Sequence, residues 1–149
     1  MNLLTLDVLL KTWEEDSAIG RDLAEASAQT PILHAKYLRL YSEAKLVLHR
    51  YKNKQKDLLK LKWLWYNGKM DQDQMETLGW EPDPFNGLKI MKGDMNYYYD
   101  SDPDIQASED KIIYYTNLVD TLKEIIGNVT WRHQTIKNSI DWKKFESGV

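Results

Sequence analysis

One stretch of this sequence carries side chains that could do chemistry together. Residues 52–71 read KNKQKDLLKLKWLWYNGKMD, in which Lys52, Lys54, Lys56, Lys60, Lys62 and Lys69 flank Trp63-Leu64-Trp65-Tyr66. Ammonium groups neutralise phosphates and aromatic rings stack on bases, so this mixture suits a single-stranded nucleic acid. A plainer reading exists, because lysines fill solvated helix faces and aromatics at seam positions are usually core. Two features weigh against it. Asp57 is the sole acid between 44 and 70, so the mixed charges that normally stabilise an exposed helix by i,i+4 pairing are missing. Helical spacing also lines up Lys45, His49, Lys52, Lys56 and Lys60 on one stripe that continues into Trp63. Arg50 and Lys54 lie adjacent and Lys62 sits on the flank. A row of this kind spans about 25 Å of helix, long enough to follow a strand of phosphates. The candidate nucleic-acid-binding residues are therefore Lys45, Arg50, Lys52, Lys54, Lys56, Lys60, Lys62, Trp63 and Tyr66. On residue chemistry alone, nucleic-acid binding stands ahead of a charged protein interface, and a membrane surface comes third.

Other chemistries find little support. The chain has no cysteine, which excludes disulfides, thiolate zinc sites and a cysteine nucleophile, and suits a reducing compartment. Gly68, Gly79, Gly87 and Gly93 are too scattered for a phosphate-binding loop. His34, His49 and His133 occupy unrelated positions, better read as surface or seam residues than as metal ligands or bases. The segment DSDPDIQASEDK (100–111) begins like a calcium loop. It has Ile105 where glycine is needed and Lys111 where glutamate is needed, so a helix cap is the better reading. Asn128-Val129-Thr130 matches a glycosylation sequon but falls inside a helical pattern. No catalytic set, metal site or cofactor is expected, and the chain reads as a non-enzyme.

The elements that must position the basic stripe follow from apolar spacing. Net charge is −3 over 149 residues, yet residues 36–69 hold ten Lys or Arg against Glu43 and Asp57. An acidic chain thus contains one basic segment, a pattern that points to a polyanion or a polar assembly. The start lacks a basic leader, so no signal peptide is expected, and no apolar run is long enough for a membrane span. A short helix is expected over 2–16 from Leu3, Leu6, Leu10 and Trp13. A long basic helix is expected over 21–66, with Thr30-Pro31 opening or kinking it. From Leu33 through Tyr37, Leu40, Ala44, Val47, Tyr51, Lys54, Leu58, Leu61 and Trp65 the spacing alternates four and three, a seam for a partner helix. Asn67-Gly68 supplies the stop. Residues 67–103 form an aromatic connecting region, too apolar for a solvated linker, with a helical turn near 73–78. A second long helix is expected over 104–146, capped by Ser101 or Asp102. Its seam runs through Ile105, Ser108, Ile112, Tyr115, Val119, Leu122, Ile126, Val129, His133, Ile136, Ile140 and Lys143. The fold class is all-α: one domain over 1–149, built as a long antiparallel helical hairpin with an N-terminal helix. Such a hairpin leaves seam exposed and favours a homo-oligomer.

The ordered segments TPILHAKYLRLYSEAKLVLHRYKNKQKDLLKLKWLWYNGKM, LGWEP, LKIMKGDMNYYYDSDPDI and IKNSIDWKKFESG resemble the UvsY family, the recombination mediators of T-even-like phages. They are most similar to the versions carried by phages of marine cyanobacteria. The resemblance covers nearly the whole chain. It implies a non-catalytic protein that binds single-stranded DNA and forms ring-like hexamers or heptamers. It further implies contacts with a phage RecA-like recombinase and a phage single-strand-binding protein, in the cytoplasm of the infected bacterial host. The family's basic LKxR/LKxK motif, linked to DNA binding, falls on Leu59, Lys60, Leu61 and Lys62. Lysine here replaces the arginine of other members, which loses a bidentate phosphate fork and keeps the charge. The 67–103 region is longer and more aromatic than in the T-even type member. The alternative is a helical-hairpin scaffold or virion assembly protein whose basic stripe docks an acidic protein surface.

Overall fold

The computed structural model describes residues 5–149. Among them all regular structure is helical: α1 Leu6–Ser17, α2 Leu23–Tyr66, α3 Gln72–Leu78, a 3-10 turn Lys92–Asp94, α4 Met95–Asp100, α5 Pro103–Thr130 and α6 Arg132–Glu146. The all-α class expected from the three-four spacing is the one observed. Leu3, the first expected seam residue, lies outside the described residues. No described helix is long and apolar enough to cross a membrane.

Short polar side chains set the helix starts. Thr5 Oγ1 accepts from Val8 N at 3.3 Å at the head of α1, and Asp22 Oδ1 accepts from Glu25 N at 3.0 Å at the head of α2. Both satisfy amides that the helix itself cannot. Pro31 neither opens nor ends α2, which continues through it. The carbonyl that loses its amide partner there belongs to Ser27, an exposed residue, so solvent can satisfy it. Gly68 ends α2 with a positive φ of 68°. Lys69 N then reaches back to Leu64 O at 2.8 Å, the six-to-one bond of a Schellman cap. Asp102, not Ser101, caps α5, accepting from Asp104 N at 2.9 Å and Ile105 N at 3.1 Å.

The chain forms two compact units, one of residues through Val47 with Tyr115–Val149, the other Leu48–Tyr114. The first unit packs α1, the first half of α2, the second half of α5, and α6. Its core is Leu9, Tyr37, Ala44, Leu118, Leu122, Ile125 and Val129. Trp13 meets the Tyr37 ring edge-on at 5.3 Å. The Tyr37 hydroxyl donates to Asp16 at 2.7 Å, and Lys36 joins the same carboxylate at 2.6 Å. The second unit packs the rest of α2 and α5 with α3, α4 and the connecting loops. There α2 and α5 run antiparallel: Tyr51 meets Lys111, Lys62 meets Asp104, and Tyr66 meets Asp102.

The expected helix over 104–146 is interrupted at Trp131, and its buried face is offset from the seam read from spacing on both sides of that break: Leu118, Leu122, Ile125, Val129, Arg132 and Ile136 are buried at an unbroken four-three spacing. His133 and Ile140 are exposed. The cause of the break is local. Thr130 Oγ1 bonds back to Ile126 O at 3.0 Å, and Trp131 N takes the three-residue bond to Asn128 O at 3.1 Å. Arg132 continues the buried series from Val129 at three residues, which is why it and not His133 faces inward. The guanidinium then donates to Asp16 O and Ser17 O at 3.4 and 3.3 Å, at the negative end of α1 where a cation is favoured. Substitution tests this register. Ile136→Ala should cost about 2–5 kcal/mol in urea unfolding, as for a buried aliphatic truncation. Ile140→Ala should stay within about 1 kcal/mol; equal costs would restore the register read from spacing.

Candidate nucleic-acid interface

The basic stripe is organised by what its own helix buries. At the end of α2, Lys62 is only 2% exposed. Its ammonium pairs with Asp102 at 3.0 Å and Asp104 at 2.8 Å. It also lies over the Trp80 ring at 3.9 Å and the Trp65 ring at 4.7 Å. An ammonium out of water needs such partners, since desolvation alone would expel it. One turn on, Tyr66 is buried among Phe85, Tyr98 and Tyr99, with ring centroids at 5.7, 6.4 and 5.2 Å. Its hydroxyl donates to Asp102 at 2.6 Å. Asp102 therefore serves Lys62, Tyr66 and the first amides of α5 at once.

The connecting region is packed onto this end of α2. Asp71 caps α3 by accepting from Gln74 N at 2.7 Å, and Gly79 closes it at a positive φ of 72°. Trp80, just beyond, stacks against Trp65 at 5.2 Å, while Trp65 Nε1 donates to Glu81 O at 2.7 Å. The Asp83 carboxylate holds the next turn through Phe85 N and Gly87 N at 3.0 and 2.6 Å. Trp80, Phe85, Tyr98 and Tyr99 are half-buried against Trp65 and Tyr66, so most of the aromatic residues of 67–103 are packed, as their number suggested. Leu88, Met91 and Tyr97 remain exposed.

Burial alone would push the Asp102 carboxyl upward. The hydrogen bonds from Tyr66, Lys62 and Ile105 N outweigh it and hold the group below the ordinary aspartate value of 3.8. The same contact, with burial first, pushes the Tyr66 phenol well above its usual 10. Asp16 is likewise held low, burial being offset by Lys36 and Tyr37.

The other lysines of α2 in the second unit reach solvent, Lys54 from the seam and Lys52, Lys56 and Lys60 from the outer face. In the second unit Arg50, Lys52, Lys54, Lys56 and Lys60 are all exposed. Among the described residues the ion pairs are those of Lys11 with Asp7, Lys36 with Asp16 and Lys62 with its two aspartates. The exposed lysines of the stripe thus have no carboxylate partner. Lys52, Lys56 and Lys60 follow one another at four residues, about 6 Å along the axis. Trp63 extends the row, 46% exposed, and Leu59 beside it is 41% exposed. Lys54 leans over the Tyr51 ring at 5.3 Å. In the first unit's part of α2, Lys45 is also exposed and its ammonium lies over Tyr41 at 5.2 Å.

The structure thus brings Arg50, Lys52, Lys54, Lys56, Lys60 and Trp63 to solvent and withdraws Lys62 and Tyr66. The two withdrawn residues are spent on packing: a phosphate could reach Lys62 only by displacing Asp102 and Asp104, and a base could stack on Tyr66 only by displacing Phe85 and the tyrosines. One residue left out of the sequence-based set stands at the site. Lys69 places its ammonium over the Trp63 indole at 4.5 Å. The Asn67-Gly68 stop signal hinted at it, because a Schellman turn folds the next residue back along the helix.

The Asp102 network makes a pH prediction. A carboxylate with a depressed folded value stabilises the fold above the ordinary aspartate value, and that contribution is lost as pH falls through the folded value. Tyr66→Phe removes the foremost hydrogen bond holding Asp102 low, so acid unfolding followed by circular dichroism should begin at higher pH than in the parent. Asp102→Ala strips Lys62 of one of its two carboxylates and α5 of its cap, and should cost about 3 kcal/mol or more at neutral pH. An unchanged acid midpoint in Tyr66→Phe would contradict the network.

A model of the UvsY family, described as recombination, repair and single-stranded-DNA-binding proteins, matches residues 12–149. No curated protein matches the chain. Among solved structures, the bacteriophage T4 recombination mediator protein UvsY is similar in several crystal lattices. One aligns with a TM-score of 0.78 at 22% identity, covering 97% of this chain and 98% of the other. A second gives 0.75 at 19%, covering 96% and 99%. A third gives 0.75 at 22%, covering 93% and 98%. At that identity the likeness carries the fold.

Proposed function

Because the chain belongs to the UvsY family of recombination, repair and single-stranded-DNA-binding proteins, we propose that its basic stripe grips single-stranded DNA for recombinase loading. The observation that carries this reading is the set of exposed lysines without acidic partners, Lys52, Lys56 and Lys60, aligned on one face of α2 with half-exposed Trp63. Their mutual repulsion is left for a polyanion to relieve. Arg50 and Lys54 flank the row, and Lys45, an exposed residue of the first unit, is a separate candidate contact. Lys62 and Tyr66 take a different part in this reading. They hold the connecting region against α2 and keep the helix end rigid beneath Trp63.

A single site of this size is weak. A homo-oligomer, a hexamer or heptamer, would present several copies to one strand, and effective concentration would convert weak grips into tight wrapping. DNA held in this way is extended and its bases are accessible. The protein would thereby help a RecA-like recombinase displace single-strand-binding protein and start a filament, in the cytoplasm of the infected bacterial host.

Salt titration of oligo(dT) binding, read by fluorescence anisotropy, tests the DNA site. The parent should bind with a steep negative slope of log K against log salt. A Lys52→Ala, Lys56→Ala, Lys60→Ala variant should bind more weakly, with a slope shallower by about 2, from about 0.7 per lost phosphate contact. An unchanged slope would remove the stripe from the site. A parent that fails to bind at low salt would favour a scaffold whose stripe docks an acidic protein face. Recombinase filament growth on DNA coated with single-strand-binding protein, with and without the chain, tests the loading step. An unshortened lag would overturn it.

A further inference from the structure

We infer that Lys69 is a positioning residue for DNA: it caps one face of the Trp63 indole and leaves the other face as a stacking platform for an unpaired nucleobase. The inference rests on the DNA reading above and adds a residue and a binding mode to it.

The geometry begins with the helix stop. Gly68 adopts a positive φ of 68°, a conformation that costs glycine little, and Lys69 N bonds to Leu64 O at 2.8 Å. This turn folds Lys69 back over the last turns of α2. Asn67 secures the same corner, its Nδ2 donating to Trp63 O at 2.7 Å and its backbone N to the same oxygen at 3.1 Å. The Lys69 ammonium then sits 4.5 Å from the Trp63 ring centroid, within the range where a cation is attracted to an indole face. No carboxylate lies within ion-pair reach of Lys69 among the described residues.

Trp63 differs from its neighbour Trp65 in exposure. Trp65 is packed against Trp80 and its ring nitrogen is used by Glu81 O. Both indoles carry an ammonium, Lys62 over Trp65 and Lys69 over Trp63, but Trp63 is 46% exposed. An indole that would otherwise sample several rotamers is thus held by an ion that also attracts phosphate. Lys60 stands three residues before Trp63, on the same face. A strand running along Lys52, Lys56 and Lys60 would reach Trp63 with its next base, and its following phosphate would meet Lys69. Stacking of this kind tolerates every base, because each has a π face.

The test compares oligo(dT) with an abasic oligonucleotide of equal length, for the parent, Lys69→Ala, Lys69→Arg, Trp63→Ala and the Lys69→Ala, Trp63→Ala double variant. Both positions are exposed, so thermal midpoints should match the parent. Trp63→Ala should weaken oligo(dT) binding about tenfold and leave abasic binding within about twofold. Lys69→Ala should weaken oligo(dT) binding severalfold. It should also reduce the oligo(dT)-induced quenching assigned to Trp63 by difference from Trp63→Phe. Lys69→Arg should retain both, since a guanidinium also stacks on an indole. In the Trp63→Ala background, Lys69→Ala should have a smaller effect than in the parent, the non-additivity of residues that act together. Additive losses, or an unchanged quench in Lys69→Ala while the three-lysine variant is weakened, would overturn the positioning role and leave the DNA site standing. A parent that does not bind oligo(dT) would sink the DNA reading and the platform with it.

Discussion

The buried ammonium of Lys62 is the constraint around which the second unit is arranged. A lysine with its side chain 3% exposed cannot stay charged without close anions. Asp102 and Asp104 provide them, and both sit where α5 begins. Satisfying that charge therefore fixes the end of one helix against the start of another. Asp102 then meets three demands at once: it pairs with Lys62, accepts from Tyr66 and caps α5. Trp80 closes over the same ammonium from the connecting region. The aromatic packing of Phe85, Tyr98 and Tyr99 around Tyr66 depends on this corner being held.

This arrangement divides one helix into two faces with different work. Within Leu59-Lys60-Leu61-Lys62, the first lysine is exposed and the second is buried. Two residues of separation on a helix turn a side chain by roughly 200°, which is enough to exchange solvent for core. Among the described residues the exposed lysines of α2 in the second unit face no carboxylate, while the buried Lys62 is paired with two. An interface for a polyanion needs that separation, because a lysine already engaged by aspartates offers a phosphate little.

Much of the helical architecture could be read from spacing. The α2 seam from Leu33 to Trp65 is buried or half-buried at every position except Lys54, and the stop at Gly68 followed from residue type. The exposed lysines and Trp63 also followed from phase. Spacing ran the second long helix through Trp131, where it breaks, and set its seam one residue late, since Leu118, Ile125 and Arg132 are the buried positions beside the expected Val119, Ile126 and His133. It could not separate Lys62 from its neighbours, because lysine is ordinarily a surface residue and its exceptional partners lie 42 positions away.

The amino-acid pattern by itself determined the all-α class, the α2 seam, the basic face and the family, since each depends on residue types at short, repeated separations. Tertiary structure alone decided that Lys62 and Tyr66 belong to the core and that Arg132 replaces His133 at the first unit's seam. Lys69 over Trp63 depends on how a cap closes in space. The physical reason is common to these cases: burying a polar or charged group is favourable only when specific partners meet it, and no periodicity along the chain encodes where those partners come from.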